Sequence, residues 1–258
     1  MTRSTDSRVR PTIGSAVVRE ADRWVRWVRV EDAVDVEQQQ GPVHQDSVGW
    51  HPGGMGWYGD RVLPRIVDRS LGERTTGSLR DRVCAGLTGQ VLEIGFGSGG
   101  NVPHYPATVR GVAAVEPSDL AWRLAEPRLR DSTVPVRRSD LDGQRLSAPD
   151  GAFDSALSSW SLCTIPDPAA ALAEVHRVLK PGGTLHFVEH GLAPDERVRR
   201  WQHRLEPLQK RLFGGCHITR PILDIVGAAG FTVTAVDEFY DAGPKPFVAL
   251  SLGTAVRA

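Results

Sequence analysis

The chain has 258 residues, 40% hydrophobic and 24% charged, which supplies a core for one large domain or two small ones and excludes a disordered chain. Its 31 basic and 31 acidic residues cancel, so no overall field draws in nucleic acid, and no nucleic-acid partner is expected. The cysteines, Cys84, Cys163 and Cys216, are odd in number and far apart, which gives neither a disulfide framework nor a Cys-x-x-Cys motif and fits a reducing, cytoplasmic compartment.

Residues 1–45 are rich in Arg, Ser and Asp and close on Gln38-Gln39-Gln40-Gly41-Pro42, a linker signal that leaves 46–258 as the folded domain. Val17, Ala21, Trp24 and Val28 recur at helical spacing, so a short amphipathic helix is expected over 16–30. Such a helix could make peripheral contact with a membrane. The interleaved Glu20, Asp22, Glu31 and Asp32 favour instead a helix docked on its own domain, or a frayed tail. No apolar run reaches signal-peptide or membrane-spanning length, so neither secretion nor a transmembrane segment is expected.

From residue 55 helices and strands alternate. Helices are expected over Met55–Leu71, Ser78–Leu87, after Gly99, over Ser118–Leu129 and over Pro168–Leu179. Apolar runs of strand length fall at Gln90–Ile94, Gly111–Val115, Thr133–Arg137, Phe153–Ser158 and Thr184–Glu189. Phe231–Phe239 and Phe247–Val256 are joined by a link too short for a crossover helix, so they are expected as antiparallel neighbours. The fold class is α/β: a Rossmann-like, doubly wound, mostly parallel seven-stranded sheet with a C-terminal antiparallel hairpin.

Chemistry gathers at the ends of the expected strands. Val91-Leu92-Glu93-Ile94-Gly95-Phe96-Gly97-Ser98-Gly99-Gly100 is a buried strand running into a glycine turn, where a ligand can approach backbone without a Cβ in the way. Gly95, Gly97 and Gly100 also satisfy Gly-x-Gly-x-x-Gly, so the loop alone leaves a nicotinamide site and an adenosylmethionine site both open. Glu116 ends the second strand, where a carboxylate can accept both hydroxyls of a ribose. Asp140 and Leu141 follow the third strand, placed for an adenine amine and ring face. The fourth leads into Ser158-Ser159-Trp160-Ser161-Leu162-Cys163.

Together with Glu174-Val175-His176-Arg177-Val178-Leu179-Lys180-Pro181-Gly182-Gly183, a helix ending in a turn before the fifth strand, these residues resemble the class I S-adenosylmethionine-dependent methyltransferases. The resemblance covers roughly residues 50–258. It implies S-adenosyl-L-methionine as cofactor, with S-adenosyl-L-homocysteine as product, and a small-molecule acceptor. Carried over, it implies that Glu93 and Gly95, Gly97, Ser98 and Gly99 hold the methionine moiety, Glu116 the ribose, Asp140 and Leu141 the adenine, with Ser159 near the donor. Glu189-His190, Trp201, Glu206-Pro207 and Phe213-Gly214-Gly215-Cys216-His217-Ile218-Thr219-Arg220 are similar to the alkyl-thiol methyltransferases within the quinone and phospholipid methyltransferase subgroup. From the animal members of that group the chain departs in lacking an N-terminal membrane helix, which leaves the acceptor open.

A thiol acceptor ionises enough near neutral pH to need little help, whereas a phenol or quinol needs a base, for which His190 and His217 are the candidates. The His186 and His190 spacing is not that of a metal motif, and no metal is expected; a zinc site would need a further ligand such as Cys216 or His217. Residues 194–213 carry Val198, Trp201, Leu205, Leu208 and Leu212 at helical spacing and are read as a lid, with Trp57-Tyr58 opposite. Tyr58, Trp160, Trp201 and Cys216 are thus the expected walls of a largely apolar acceptor pocket. A non-catalytic adenosylmethionine-binding module and a nicotinamide oxidoreductase are the competing readings. The latter lacks a Tyr-x-x-x-Lys motif and the matching end of the fold. Oligomeric state is not legible.

Overall fold

The computed structural model describes residues 61–258; the expected helix over 16–30, the domain start at 46 and Tyr58 lie outside them. The described elements are α1 (Leu63–Ser70), α2 (Glu73–Cys84), β1 (Gly89–Ile94), β2 (Val109–Val115), α3 (Asp119–Arg130), β3 (Val136–Asp140), β4 (Phe153–Ser159), α4 (Pro168–Val178), β5 (Leu179–His190), α5 (Glu196–Leu212), α6 (Ile222–Ala228), β6 (Phe231–Tyr240) and β7 (Ala249–Arg257). The strands form one sheet in the order β3-β2-β1-β4-β5-β7-β6. β1 to β5 pair in parallel, and β7 runs antiparallel to both β5 and β6. Chain order reverses beside β1, the place where open α/β sheets present a ligand crevice at the carboxyl ends of their strands.

Helices on both faces explain why β1 is buried along its whole length. Val91 packs with Leu79, Val83 and Cys84 of α2 on one face. Leu92 and Ile94 turn to the other, into the core that also holds Leu172 and Val175 of α4 and Ile222 and Val226 of α6. The period of two along the strand thus feeds two cores, and each fully buried side chain such as Leu92 or Phe187 contributes roughly 1.5–3 kcal/mol. Helix starts are set by side chains: the Ser118 hydroxyl accepts from Ala121 N at 3.2 Å, and the Asp167 carboxylate from Ala170 N at 3.0 Å, with Pro168 in the first turn of α4.

The expected elements differ from the observed ones in ways that bear on the site. No α-helix follows Gly99: the chain makes turns and a short 3-10 segment, Val102–His104. Pro103 and Pro106 remove two donors there, and the Asn101 side chain is engaged inward. β3 begins at Val136 rather than at residue 133, because Pro135 can accept from Val112 N but cannot donate to the ladder. α2 begins at Glu73, before the expected Ser78, and ends at Cys84 ahead of Gly86. Of the helix expected over 55–71, the described residues hold α1.

Candidate functional site

Beyond the carboxyl ends of β1, β2, β4 and β5 lies a cavity of about 1010 Å³. One side of its wall is the glycine loop. Gly95 (φ +68°) and Gly97 (φ +60°) are both left-handed, a conformation that favours glycine. A Cβ on Gly95 would strike the Ser161 hydroxyl at 2.0 Å, whereas one on Gly97 would meet nothing closer than Gly95 O at 4.0 Å and would project into open space. Glu116, at the end of β2, is buried and lines the cavity. Its carboxylate accepts from Gly97 N at 2.6 Å and from Ser118 N at 2.7 Å, so it fixes the loop and the start of α3 at once. Burial pushes its carboxyl up from the usual carboxylate range, against those two amide bonds.

Behind the loop sits a buried polar network. Asn101 Nδ2 donates to Glu93 Oε1 at 2.9 Å and to Ser159 Oγ at 3.0 Å, and the Tyr105 hydroxyl donates to Glu93 Oε2. Arg80, on α2, donates to Asn101 Oδ1 at 2.6 Å and lies over the Trp160 ring at 5.0 Å. Burial raises the Glu93 carboxyl to about 7, opposed by the bonds from Tyr105 and Asn101. Glu93 and Ser159 therefore brace the loop from below, while Gly95, Gly97, Glu116 and Leu141 form the cavity wall. Ser98 donates to Asp68 Oδ1 on α1 at 2.6 Å, and Gly99 packs against Ala125 of α3. Asp140 accepts from Ser147 N at 3.0 Å through one oxygen, and its other oxygen is buried with no protein partner. An orphaned buried acceptor normally has a ligand or water to meet; the neighbouring Leu141 and Asp142, rather than Asp140 itself, line the cavity.

The opposite wall is built from β4, β5 and the segment after α5. Trp160 lines the cavity with φ +51°, the one non-glycine residue in the left-handed region among those described. Such a conformation is held only by its surroundings, here the Trp160 N bond to Val188 O at 2.8 Å and the Arg80 contact. Cys163, His190 and Cys216 converge beside it and also line the cavity. Buried Glu189 holds the backbone under this group, accepting from Ser161 N at 3.0 Å and Cys163 N at 3.2 Å. His190 is raised: burial works against its charged form, but the Cys163 contact and the charges of Cys163, Glu189 and Asp241 outweigh it.

One candidate base, His217, and one expected pocket residue, Trp201, stand elsewhere. His217 faces Glu206, Nδ1 to Oε1 at 2.9 Å, away from the cavity wall. Trp201 is 55% exposed, beside Arg204. The reason is the rotation of α5: its fully buried residue is Gln202, which accepts from Ala193 N at 2.9 Å and donates to Gly191 O at 3.0 Å. That bonding turns Trp201, Leu208 and Leu212 outward and brings Gln209 and Phe213 to the cavity instead. Sequence reading also gave Asn101, Arg80 and Tyr105 no role. Asn101 directly after four glycines in six positions was the available signal.

A family model described as a methyltransferase domain matches residues 92–187. The thiol S-methyltransferase TMT1B of Rattus norvegicus is 32% identical over 169 residues, covering 63% of this chain and 66% of that protein. Its Mus musculus counterpart is 32% identical over 176 residues, covering 65% of this chain and 69% of that protein. The chain therefore spans just under two thirds of the rat relative's length. A solved structure of geranyl diphosphate methyltransferase in complex with SAM shares the fold, with a TM-score of 0.56 at 15% identity over 71% of this chain and 84% of that one.

Proposed function

The chain belongs to the class I S-adenosylmethionine-dependent methyltransferases, and from that premise we propose that it methylates a small, largely apolar acceptor, a thiol in preference to a quinol, phenol or lipid. The observation that carries this reading is a single cavity bounded by the glycine loop and Glu116 on one side and by Trp160, Cys163, His190 and Cys216 on the other. The residues fit the donor. Open space beyond Gly97 provides a cradle that a Cβ would fill, Glu116 stands at the cavity wall with lone pairs beyond its two amide bonds, and the buried Asp140 oxygen lacks a partner. Bound there, S-adenosylmethionine supplies an electrophilic methyl group on a sulfonium.

Each residue's part follows from its position. Gly95 and Gly97 let backbone approach the methionine portion, and Glu93 and Ser159 keep the loop in place through Asn101. Ser98 and Gly99 tie the loop to α1 and α3. Glu116 takes the ribose hydroxyls, and Asp140 with Leu141 takes the adenine. The acceptor lies against Trp160, Ile165 and Phe213, with its nucleophilic atom toward Cys163, His190 and Cys216. Alignment of two bound reactants in a shared, water-poor space is the main contribution to rate. The relatives named as thiol S-methyltransferases support the thiol reading, as does the corner of the cavity where Cys163 and Cys216 pack with Ile218 beside His190. A cytoplasmic setting is supported by three free cysteines. Among the described residues, no helix is long and apolar enough to cross a membrane.

Calorimetric titration with S-adenosylmethionine, S-adenosylhomocysteine, NADH and NADPH tests the donor half. Micromolar binding of the first two alone is expected, and binding of a nicotinamide nucleotide would overturn the reading. A non-catalytic module would bind the donor yet form no methylated product with any thiol, quinol or phenol.

A further inference from the structure

Cys163, His190 and Cys216 come from three separate places: the loop after β4, the end of β5 and the turn after α5. Their ligand-type atoms nonetheless form a small triangle. The two sulfurs are 3.5 Å apart, and His190 Nδ1 lies 3.9 Å from Cys163 Sγ and 3.8 Å from Cys216 Sγ. Zinc bound tetrahedrally by two thiolates and an imidazole, at its usual bond lengths of about 2.3 and 2.0–2.1 Å, separates those atoms by about 3.8 Å (S to S) and 3.6 Å (S to N). The observed edges agree within about 0.3 Å, and a point equidistant from the three atoms lies about 2.2 Å from each.

We propose that Cys163, His190 and Cys216 form a zinc site with three protein ligands, whose fourth position opens to the acceptor cavity and takes the acceptor's sulfur as a thiolate. The ligand count is that of a catalytic rather than a structural zinc centre, which keeps one position for substrate or water. Two thiolates neutralise the divalent ion, so the zinc-loaded site carries no net charge into a buried setting before the acceptor binds, and the one negative charge the acceptor thiolate adds is met by the positive sulfonium of the donor. All three residues line the cavity, which provides the route of entry for ion and acceptor.

The surrounding structure holds the ligands as such a site requires. Glu189 accepts from Cys163 N, and Arg220 donates to the carbonyls of Leu162 and Ile165 on either side of that cysteine. His217 N donates to Cys163 O at 2.7 Å, which locks the two cysteine-bearing segments together. The site also gives His190 and Cys216 a shared purpose that packing alone does not. Coordination removes the acceptor's thiol proton to solvent as the sulfur–zinc bond forms, presenting a thiolate near neutral pH. The identity of the fourth ligand rests on the thiol reading above; the three protein ligands do not.

The full-length chain, reduced, stripped with a chelator and titrated with Co²⁺ as a spectroscopic probe, is expected to bind one equivalent. It should show thiolate-to-cobalt charge transfer and the intense visible bands of a four-coordinate ion. Cys163→Ser and Cys216→Ser should each diminish the charge-transfer band, and the double variant should abolish it. X-ray absorption at the zinc edge of the zinc-loaded wild type, which needs no variant to fold, should give two sulfurs at about 2.3 Å and one or more nitrogen or oxygen neighbours at about 2.0 Å. Absence of the charge-transfer band, or its persistence in a folded double variant, overturns the site. Adding an alkyl thiol should shift the visible bands. If it does not, the thiol as fourth ligand is overturned while the protein ligands stand. Thiol methylation at full rate by protein shown to be metal-free would overturn the zinc site and leave the thiol reading intact.

Discussion

Gly97 is the residue whose replacement separates binding from folding most cleanly. Its left-handed backbone and the open space before it mean that Gly97→Arg would fill the cradle without striking the core. Donor affinity should fall at least 100-fold with an unchanged far-ultraviolet spectrum; calorimetry showing wild-type affinity would remove the loop from the donor site. Glu93 offers a different test. Its carboxyl is raised from 4.5 to about 7, so the folded state holds the proton more tightly than the unfolded state does. The stabilisation this gives is complete below pH 4.5 and is lost as pH rises through 7, a span worth on the order of 3 kcal/mol. Glu93→Gln carries no such titration. Urea midpoints for the two proteins should converge or cross between pH 4.5 and 8, and parallel curves would show that Glu93 ionises normally.

At the scale of elements, α5 shows both what sequence reading reaches and where it stops. Apolar residues at helical spacing over 194–213 predicted a helix, and Glu196–Leu212 is one. Its rotation was not legible, because two glutamines rather than the apolar residues take the inner face. Nothing in residue type announces that Gln202 will satisfy Ala193 N and Gly191 O. Replacing Gln202 by Leu would leave both backbone groups buried without partners. Stability measured by urea titration should drop by about 2–4 kcal/mol. A loss below about 0.5 kcal/mol would mean that water or a shifted helix replaces those bonds. β1 and β4, by contrast, were legible nearly to the residue, since burial on both faces writes a continuous apolar run such as Val91-Leu92, whereas β5 begins at Leu179, five residues before the expected Thr184 and within the expected turn. Pro135 and Pro103 moved the boundaries that periodicity alone misplaced.

For the whole molecule, the glycine loop, Glu116 and the closing antiparallel pair were enough to read the architecture, because each is local in sequence or set by a short connection. The Cys163–His190–Cys216 corner was not readable as a unit, since only the order of β4, β5 and the turn after α5 brings those residues together. The donor-site residues named above all lie between 93 and 159, so deletion of residues 1–45 should leave donor affinity within about threefold by calorimetry. A larger loss would show that this segment helps to close the site. In both forms, S-adenosylmethionine at 100 times its Kd should add about 2.7 kcal/mol and raise Tm by roughly 5–10 °C. The central claim is methyl transfer to sulfur, and the most direct measurement combines the protein, S-adenosylmethionine carrying a deuterated methyl group and a small alkyl thiol. Mass spectrometry should find the deuterated thioether and S-adenosylhomocysteine in equal amounts. Donor binding with neither product formed across a series of thiols would contradict it.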